Sequence, residues 1–369
     1  MLKLSVRILL IFIFGIAVLT GVKANEEHEP VQSDSPVKEE FNTGKFIFSH
    51  VMDSYDWHIF SFGETHVSIP LPIILYSKYP DLHGGKSFHV FMSNKFHHGH
   101  DDYRGFRISH SHENDGKIVE LDQQGTEIGK PLDFSITKVV AGIFFSALLL
   151  IVMLALVVRN LNKTKGKAPK GIQNLIEPVV IFIREQIAKP AIGEKKYEKF
   201  MPFLLTLFFF ILINNLIGLI PFPPFGANVT GNIAVTMVLA LFTFFETAIN
   251  GNKHYWKEIY NPDVPWWLKF PVPLMPIVEL SGVITKPFVL MVRLFANMLA
   301  GHMIITVFVS LIFVFASLYG PFAGLAVSPI SIVFSVFILL LDVLVSFIQA
   351  YVFTLLSALY FGMATAEHH

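Results

Sequence analysis

The sequence predicts an all-α polytopic membrane protein of about five transmembrane helices, the last two long and tilted, behind a small β-containing extracytoplasmic region. Three observations carry this. Hydrophobic residues make up 53% of the chain against 15% charged, and Phe alone occurs 37 times, an excess typical of membrane spans rather than of a soluble core. Apolar segments lie at about 136–158, 200–222, 229–250, 275–316 and 326–362, and each reaches the ~20 residues that a ~30 Å hydrocarbon layer requires. Arg159, Lys163, Lys165, Lys167 and Lys170 follow the first of them closely. Basic residues stay in the cytoplasm, so this loop is placed inside and the N-terminus outside.

Residues 1–24 read as a secretory signal peptide. Lys3 and Arg7 give a positive start, Ile8 to Leu19 an apolar stretch, and Val22-Lys23-Ala24 small residues for cleavage. The alternative, an uncleaved helix, suffers from its length, since about twelve apolar residues are too few to span. Residues 25–135 then form a His-rich extracytoplasmic region. Its first part, Asn25 to Glu40, is an acidic, Pro-containing linker. Phe46–Phe62 and Val67–Tyr76 read as short helical or strand elements, and Lys117 to Gly129 as a β-hairpin turning at Gln-Gln-Gly.

Composition also excludes function classes. The formal net charge is zero and there is no cysteine. No nucleic-acid footprint is visible, and disulfides, thiolate metal sites and thiol nucleophiles are ruled out. Neither a Gly-rich phosphate loop nor a Gly-x-Ser-x-Gly elbow occurs, so no cofactor or nucleotide chemistry is expected. Eleven of the chain's fifteen histidines fall in the region ahead of the first span, including His97-His98-Gly99-His100-Asp101-Asp102. Such a run can hold a divalent metal; the simpler reading, a solvated loop, is preferred because no fixed ligand spacing supports a site.

In the first internal loop, Ile172, Leu175, Ile176, Val179, Val180, Ile183 and Ile187 keep helical spacing, which predicts an amphipathic helix on the membrane or against the bundle. Pro221-Phe-Pro-Pro-Phe-Gly marks a tight external turn, and Pro265-Trp266-Trp267 an interfacial anchor. The last two apolar blocks far exceed one span. No turn signal interrupts either after Pro287 and Pro329, so two long antiparallel helices joined at Tyr319-Gly320-Pro321 are expected.

Inside these blocks sit Glu279, Lys286, Arg293, His302 and Asp342, with the amides Asn297 and Gln349 beside them. Charges at membrane depth cost several kcal/mol (roughly 2.5 upward) and survive facing a bundle interior, a water-filled path or a partner. Glu279, Lys286 and Arg293 recur every seven residues and so share one helix face. Arg293 cannot lose its proton and suits an electrostatic barrier, not a carrier. If the two helices run antiparallel with Arg293 level with Gln349, His302 falls nearly level with Asp342. An imidazole and a carboxylate at one level can relay protons. Nine residues turn a helix by about half a revolution, so His302 faces away from Arg293.

Arg293-Leu-Phe-Ala-Asn297-Met, followed by Ala300-Gly301, closely resembles the signature helix of subunit a of F-type ATP synthases. Phe-Phe-Ile-Leu-Ile-Asn-Asn215-Leu-Ile-Gly-Leu-Ile-Pro221 is similar to that family's Asn-containing helix, and the ending Met363-Ala-Thr-Ala-Glu-His to its C-terminus. The resemblance covers about 136–366 and makes 136–369 the subunit a domain. It implies that Arg293 is the stator arginine, Asn297 and Gln349 its amide neighbours, Glu279 the cytoplasmic-side carboxylate, and His302, Asp342 and Asn215 members of a proton path. Where the common bacterial pattern has Glu after Ala-Gly and His before the glutamine, this chain has His302 and Asp342, an exchange similar to the mitochondrial arrangement.

The resemblance further implies a non-catalytic subunit of a proton-transporting ATP synthase. It would form two half-channels against a rotor c-ring and bind peripheral-stalk subunit b and the rest of the complex. It would be multi-pass in the cell inner membrane, with the C-terminus inside. The competing function is a stand-alone ion or metal transporter that captures its substrate with the His-rich region. That predicts internal repeats with broken helices, which the sequence does not display.

Overall fold

The structure is a computed structural model that describes residues 53–62, 65–83, 85–99, 101–109, 111, 114, 116–163, 171–220, 226–260 and 274–366. The segments read as a signal peptide (1–24), an acidic linker (25–40) and an interfacial anchor at Trp266-Trp267, with most of the expected external turn, lie outside the described residues.

Residues 53–133 are β-rich. β1 (Asp56–Phe62) pairs antiparallel with β2 (Thr65–Pro70). β3 (Pro72–Tyr76) lies between β4 (Phe88–Met92) and β8 (Leu132–Asp133). A third sheet runs β5 (Phe106–Ile108), β6 (Ile118–Leu121), β7 (Glu127–Gly129). The strands form because apolar residues alternate: Ile73 and Leu75 on β3 and Phe91 on β4 point inward, where they meet Phe96, Phe106 and Ile118. β6 and β7 make the expected hairpin, turning at Gly125, whose φ of 78° only glycine adopts easily. Phe46–Phe62 and Val67–Tyr76, read as short elements of either type, contribute the strands β1, the end of β2 and β3. Tyr55 donates to Asp133 at 2.5 Å; burial, with that carboxylate, pushes its phenol well above the usual range.

The remainder is helical: α1 (Lys138–Lys163), α2 (Ile172–Phe182), α3 (Lys189–Ile192), α4 (Tyr197–Gly218), α5 (Ile233–Asn250), α6 (Lys253–Tyr260), α7 (Leu274–Tyr319) and α8 (Pro321–Thr365). Five of these, α1, α4, α5, α7 and α8, are long and apolar enough to cross a membrane. α7 and α8, of 46 and 45 residues, are each one unbroken helix of roughly 70 Å at ~1.5 Å per residue. They meet where the sequence suggests: α7 ends at Tyr319, Gly320 takes φ 92°, and Pro321 opens α8.

α4 forms the centre of the bundle. Phe200, Leu204, Leu207, Phe208 and Ile211 bury on successive turns against Leu290, Leu294 and Met298 of α7 and Ala350, Phe353 and Phe361 of α8. Phe200 stacks on Phe361 with centroids 4.9 Å apart. The stripe in the first internal loop splits. Ile176, Ile183 and Ile187 pack into this core through α2 and a π-helical turn (Ile183–Ala188), whereas Ile172 and Leu175 stay exposed. Of the second internal loop, Lys253–Tyr260 form α6.

The last turn of α8 is tied down. Lys196 Nζ and Asn252 Nδ2 donate to the Thr365 carbonyl at 2.8 and 3.0 Å, and Asn252 N to that of Ala364 at 2.8 Å. These satisfy carbonyls that a helix end leaves unpaired. Beside them α8 touches α3 so closely that a Cβ on Gly362 would overlap the Ala191 carbonyl oxygen. Backbone cannot swing aside as a side chain can. Gly362→Ala is therefore expected to cost about 1–3 kcal/mol or more of packing and to lower the amount of subunit in purified membranes, which immunoblotting against a wild-type strain checks.

Candidate proton path

The antiparallel pairing of α7 and α8 has the register that the sequence suggests. Phe308 stacks on Phe334 at 5.5 Å and 6°, and Lys286 Nζ lies 5.6 Å from the Tyr360 ring centroid. Between these levels, a Cβ on Gly301 would sit 2.6 Å from Asp342 Oδ2. Asp342 is thus level with Gly301 and His302.

Rotation about α7 separates the polar residues. Leu290, Leu294 and Met298 turn inward, so Arg293 and Asn297 come to lie on the outward face, both exposed beside the small exposed residues Ala296 and Ala300. No hydrogen bond or ion pair engages Arg293 among the described residues. Gln349 is buried, 7% exposed, and the two are not hydrogen-bonded: the pairing expected from their level fails because Arg293 points outward and Gln349 inward.

His302 turns to the other side of α7, as the half-revolution argument requires. Its Nε2 lies 3.4 Å from where a Cβ of Gly218 would be, at the end of α4. Asp342 instead rests against the α7 backbone at Gly301. His302 and Asp342 share a level, as expected, but meet different neighbours on different sides of α7, with no hydrogen bond or ion pair between them among the described residues. His302 Nε2 and Asp342 Oδ2 are both buried without a partner. Such atoms are rare in folded proteins and mark places where a polar partner such as water belongs.

Asn215 joins the same region. It is fully buried, and its Oδ1 accepts from Thr230 Oγ1 at 2.6 Å while its Nδ2 is unpartnered. One turn on stands Gly218. Asn228 Oδ1 accepts from Gly231 N at 2.9 Å and its Nδ2 is likewise free. The loop 226–232 thus folds back over the end of α4, where Gly218 meets both the Ala227 carbonyl and His302. Asn228, Thr230, Gly218 and Gly301 were not singled out as site residues. Glycines within apolar helices were the available signal for the last two; a loop that folds back fifteen residues along the chain leaves no such mark.

At the opposite end of the bundle, Thr243, Thr247, Tyr255, Lys286, Pro287 and Tyr360 line a small cleft of about 20 Å³. Glu279, two turns further along α7, is exposed and outside this lining. In the β-rich region His97 Nδ1 pairs with Asp101 Oδ2 at 2.6 Å. No cluster able to hold a metal occurs among the described residues, although His100 and the side chain of His98 lie outside them.

Five apolar helices with an outward cation and a half-buried imidazole and carboxylate define a multi-pass membrane protein with polar groups on both sides of one helix. Comparison with known proteins gives the family. The family model for the ATP synthase A chain matches residues 141–362. The ATP synthase subunit a of Chloroherpeton thalassium is 45% identical over 258 residues, 68% of this chain and 72% of that protein. That of Myxococcus xanthus is 43% identical over 245 residues, 64% and 75% of the two chains. That of Chlorobium phaeobacteroides (strain DSM 266) is 38% identical over 324 residues, 84% and 87%. A second family model, a domain of unknown function (DUF8433), matches residues 46–134. The chain belongs to the ATP synthase subunit a family.

Proposed function

We propose that this chain, as the ATP synthase subunit a of its complex and a multi-pass protein of the inner membrane, forms the stationary half of the proton channel. Two half-channels would open against a rotor c-ring, with peripheral-stalk subunit b as a further contact. The β-rich end of the bundle faces outward from the cell, and the end carrying Lys196 and Asn252 faces the cytoplasm, in keeping with the basic residues after α1. Protons enter from outside through the polar groups of His302, Asn215 and Asp342, with Asn297 on the outward face. They load a carboxylate on the rotor and leave on the cytoplasmic side near the Lys286 cleft and Glu279. Arg293 keeps the two paths apart by attracting the ionised rotor carboxylate and opposing free protons.

The observation that carries this reading is the outward, unpaired Arg293. A guanidinium facing lipid at that depth is costly, so the α7 face needs an acidic or aqueous neighbour. The path itself is tested by exchanging its two titratable members. His302→Glu and Asp342→His should each cut ATP-driven acidification of membrane vesicles by ~100-fold or more, the usual scale for losing a proton-transfer group. The double exchange should recover part of the loss. Single variants that pump like wild type would remove His302 and Asp342 from the path.

A further inference from the structure

The β-rich region meets this path at one place. Trp57 on β1 is buried against Ala227 and Val229, which flank Asn228 in the loop that folds over the end of α4. The same loop packs on α1: a Cβ on Gly142 would lie 2.7 Å from Ala227 Cβ and 3.1 Å from Val229 Cγ2. The Ala227 carbonyl in turn lies 3.4 Å from the Cβ position of Gly218, the glycine that faces His302. The β-rich region, the start of α1, the loop and His302 therefore form one continuous set of contacts.

Residues 53 and 54 hold the first turn of α1. Lys138 N donates to the Ser54 carbonyl at 2.9 Å, and Val139 N to Asp53 Oδ1 at 3.1 Å. A carboxylate from a distant part of the chain thus caps the helix N-terminus, where an acceptor and a negative charge are both favoured. This clamp fixes where Lys138 stands, one turn before Gly142. The Asp53 carboxylate is close enough to act on its ammonium, and the ammonium on His302.

We propose that Lys138 is a positioning residue of the proton path, a fixed cation that the 53–134 region clamps at the outer mouth and that governs how readily a proton reaches His302. The inference rests on the path proposed above and gives the β-rich region a role in it. Lys138 from α1 is the charged group that acts on His302; Asp53 from the β-rich region acts on Lys138, and Asp342 from α8 lies at the same level on another side of α7. α4 and the loop 226–232 contribute only Asn215, Asn228 and Thr230. A cation at the mouth opposes an arriving proton, so its removal lets the path load at higher external pH.

The test uses proteoliposomes holding the complete ATP synthase, with the β-rich end facing the lumen, and records ATP synthesis against luminal pH at a fixed membrane potential. Lys138→Gln is expected to move the midpoint upward by about 0.5–1 pH unit, and Lys138→Arg to return it. Asp53→Asn keeps a good cap but removes the counter-charge, so its midpoint is expected to move downward. An unmoved midpoint in Lys138→Gln, or a Lys138→Arg variant that behaves like Lys138→Gln, would overturn the inference. Arg293→Ala and His302→Ala in the same vesicles separate the two readings. If both abolish synthesis while Lys138→Gln keeps the wild-type midpoint, only the role of Lys138 falls; if both support normal synthesis, the path itself falls.

Discussion

Gly301→Ala is expected to slow proton movement sharply while leaving α7 intact. Position 301 lies well inside a long helix, where alanine is favoured over glycine by about 1 kcal/mol, so the substitution does not weaken the helix. The added methyl would meet Asp342 Oδ2 and Oδ1 at 2.6 and 2.7 Å, closer than real contacts allow. A carboxylate at the end of a side chain gives way more easily than two packed backbones, so Asp342 moves and the α7–α8 contact survives. Misplacing a reacting group by ~1 Å can cost about 100-fold. ATP-driven acidification should fall by ~10- to 100-fold with normal amounts of assembled complex. Normal pumping would mean that the position of Asp342 against Gly301 is irrelevant to proton passage.

This prediction came within reach only through the structure, although much around it is legible in the sequence. The register of α7 against α8 follows from two uninterrupted apolar blocks joined at Gly320-Pro321, because an antiparallel hairpin with a short joint leaves little freedom to slide. That Arg293 and His302 face opposite ways follows from helical periodicity over nine residues. Periodicity does not say which neighbour each side chain meets. Asp342 turns to the α7 backbone and His302 to Gly218 because α7 packs along α8 and against α5 with Leu290, Leu294 and Met298 buried in the core, which sets its rotation. Level is a property of sequence position; facing is a property of tertiary packing. The Asn215–Thr230 hydrogen bond depends on a loop folding over the end of α4, and the clamp of Asp53 and Ser54 on Lys138 joins residues more than eighty positions apart. Neither bears a local signature.

The second large effect concerns Arg293. Its charge is permanent, it stands on the outward face of α7, and no carboxylate among the described residues neutralises it. In the proposed mechanism the guanidinium holds the ionised rotor carboxylate and blocks protons from crossing directly between the half-channels. Losing it should remove both functions, because attraction and barrier come from the same charge. A loss of fold is not expected, since the exposed side chain fills no space in the bundle core. Lysine keeps the charge but not the planar, five-donor fork, so Arg293→Lys should retain little of the coupling.

The most direct measurement places Arg293→Ala and wild-type complexes in membrane vesicles and records ATP-driven acidification and passive proton leak side by side. The account predicts pumping reduced by at least ~100-fold, as expected when the main electrostatic element of a site is removed, with assembled complex present and a leak above wild type. Unchanged pumping by an assembled Arg293→Ala complex would contradict the account.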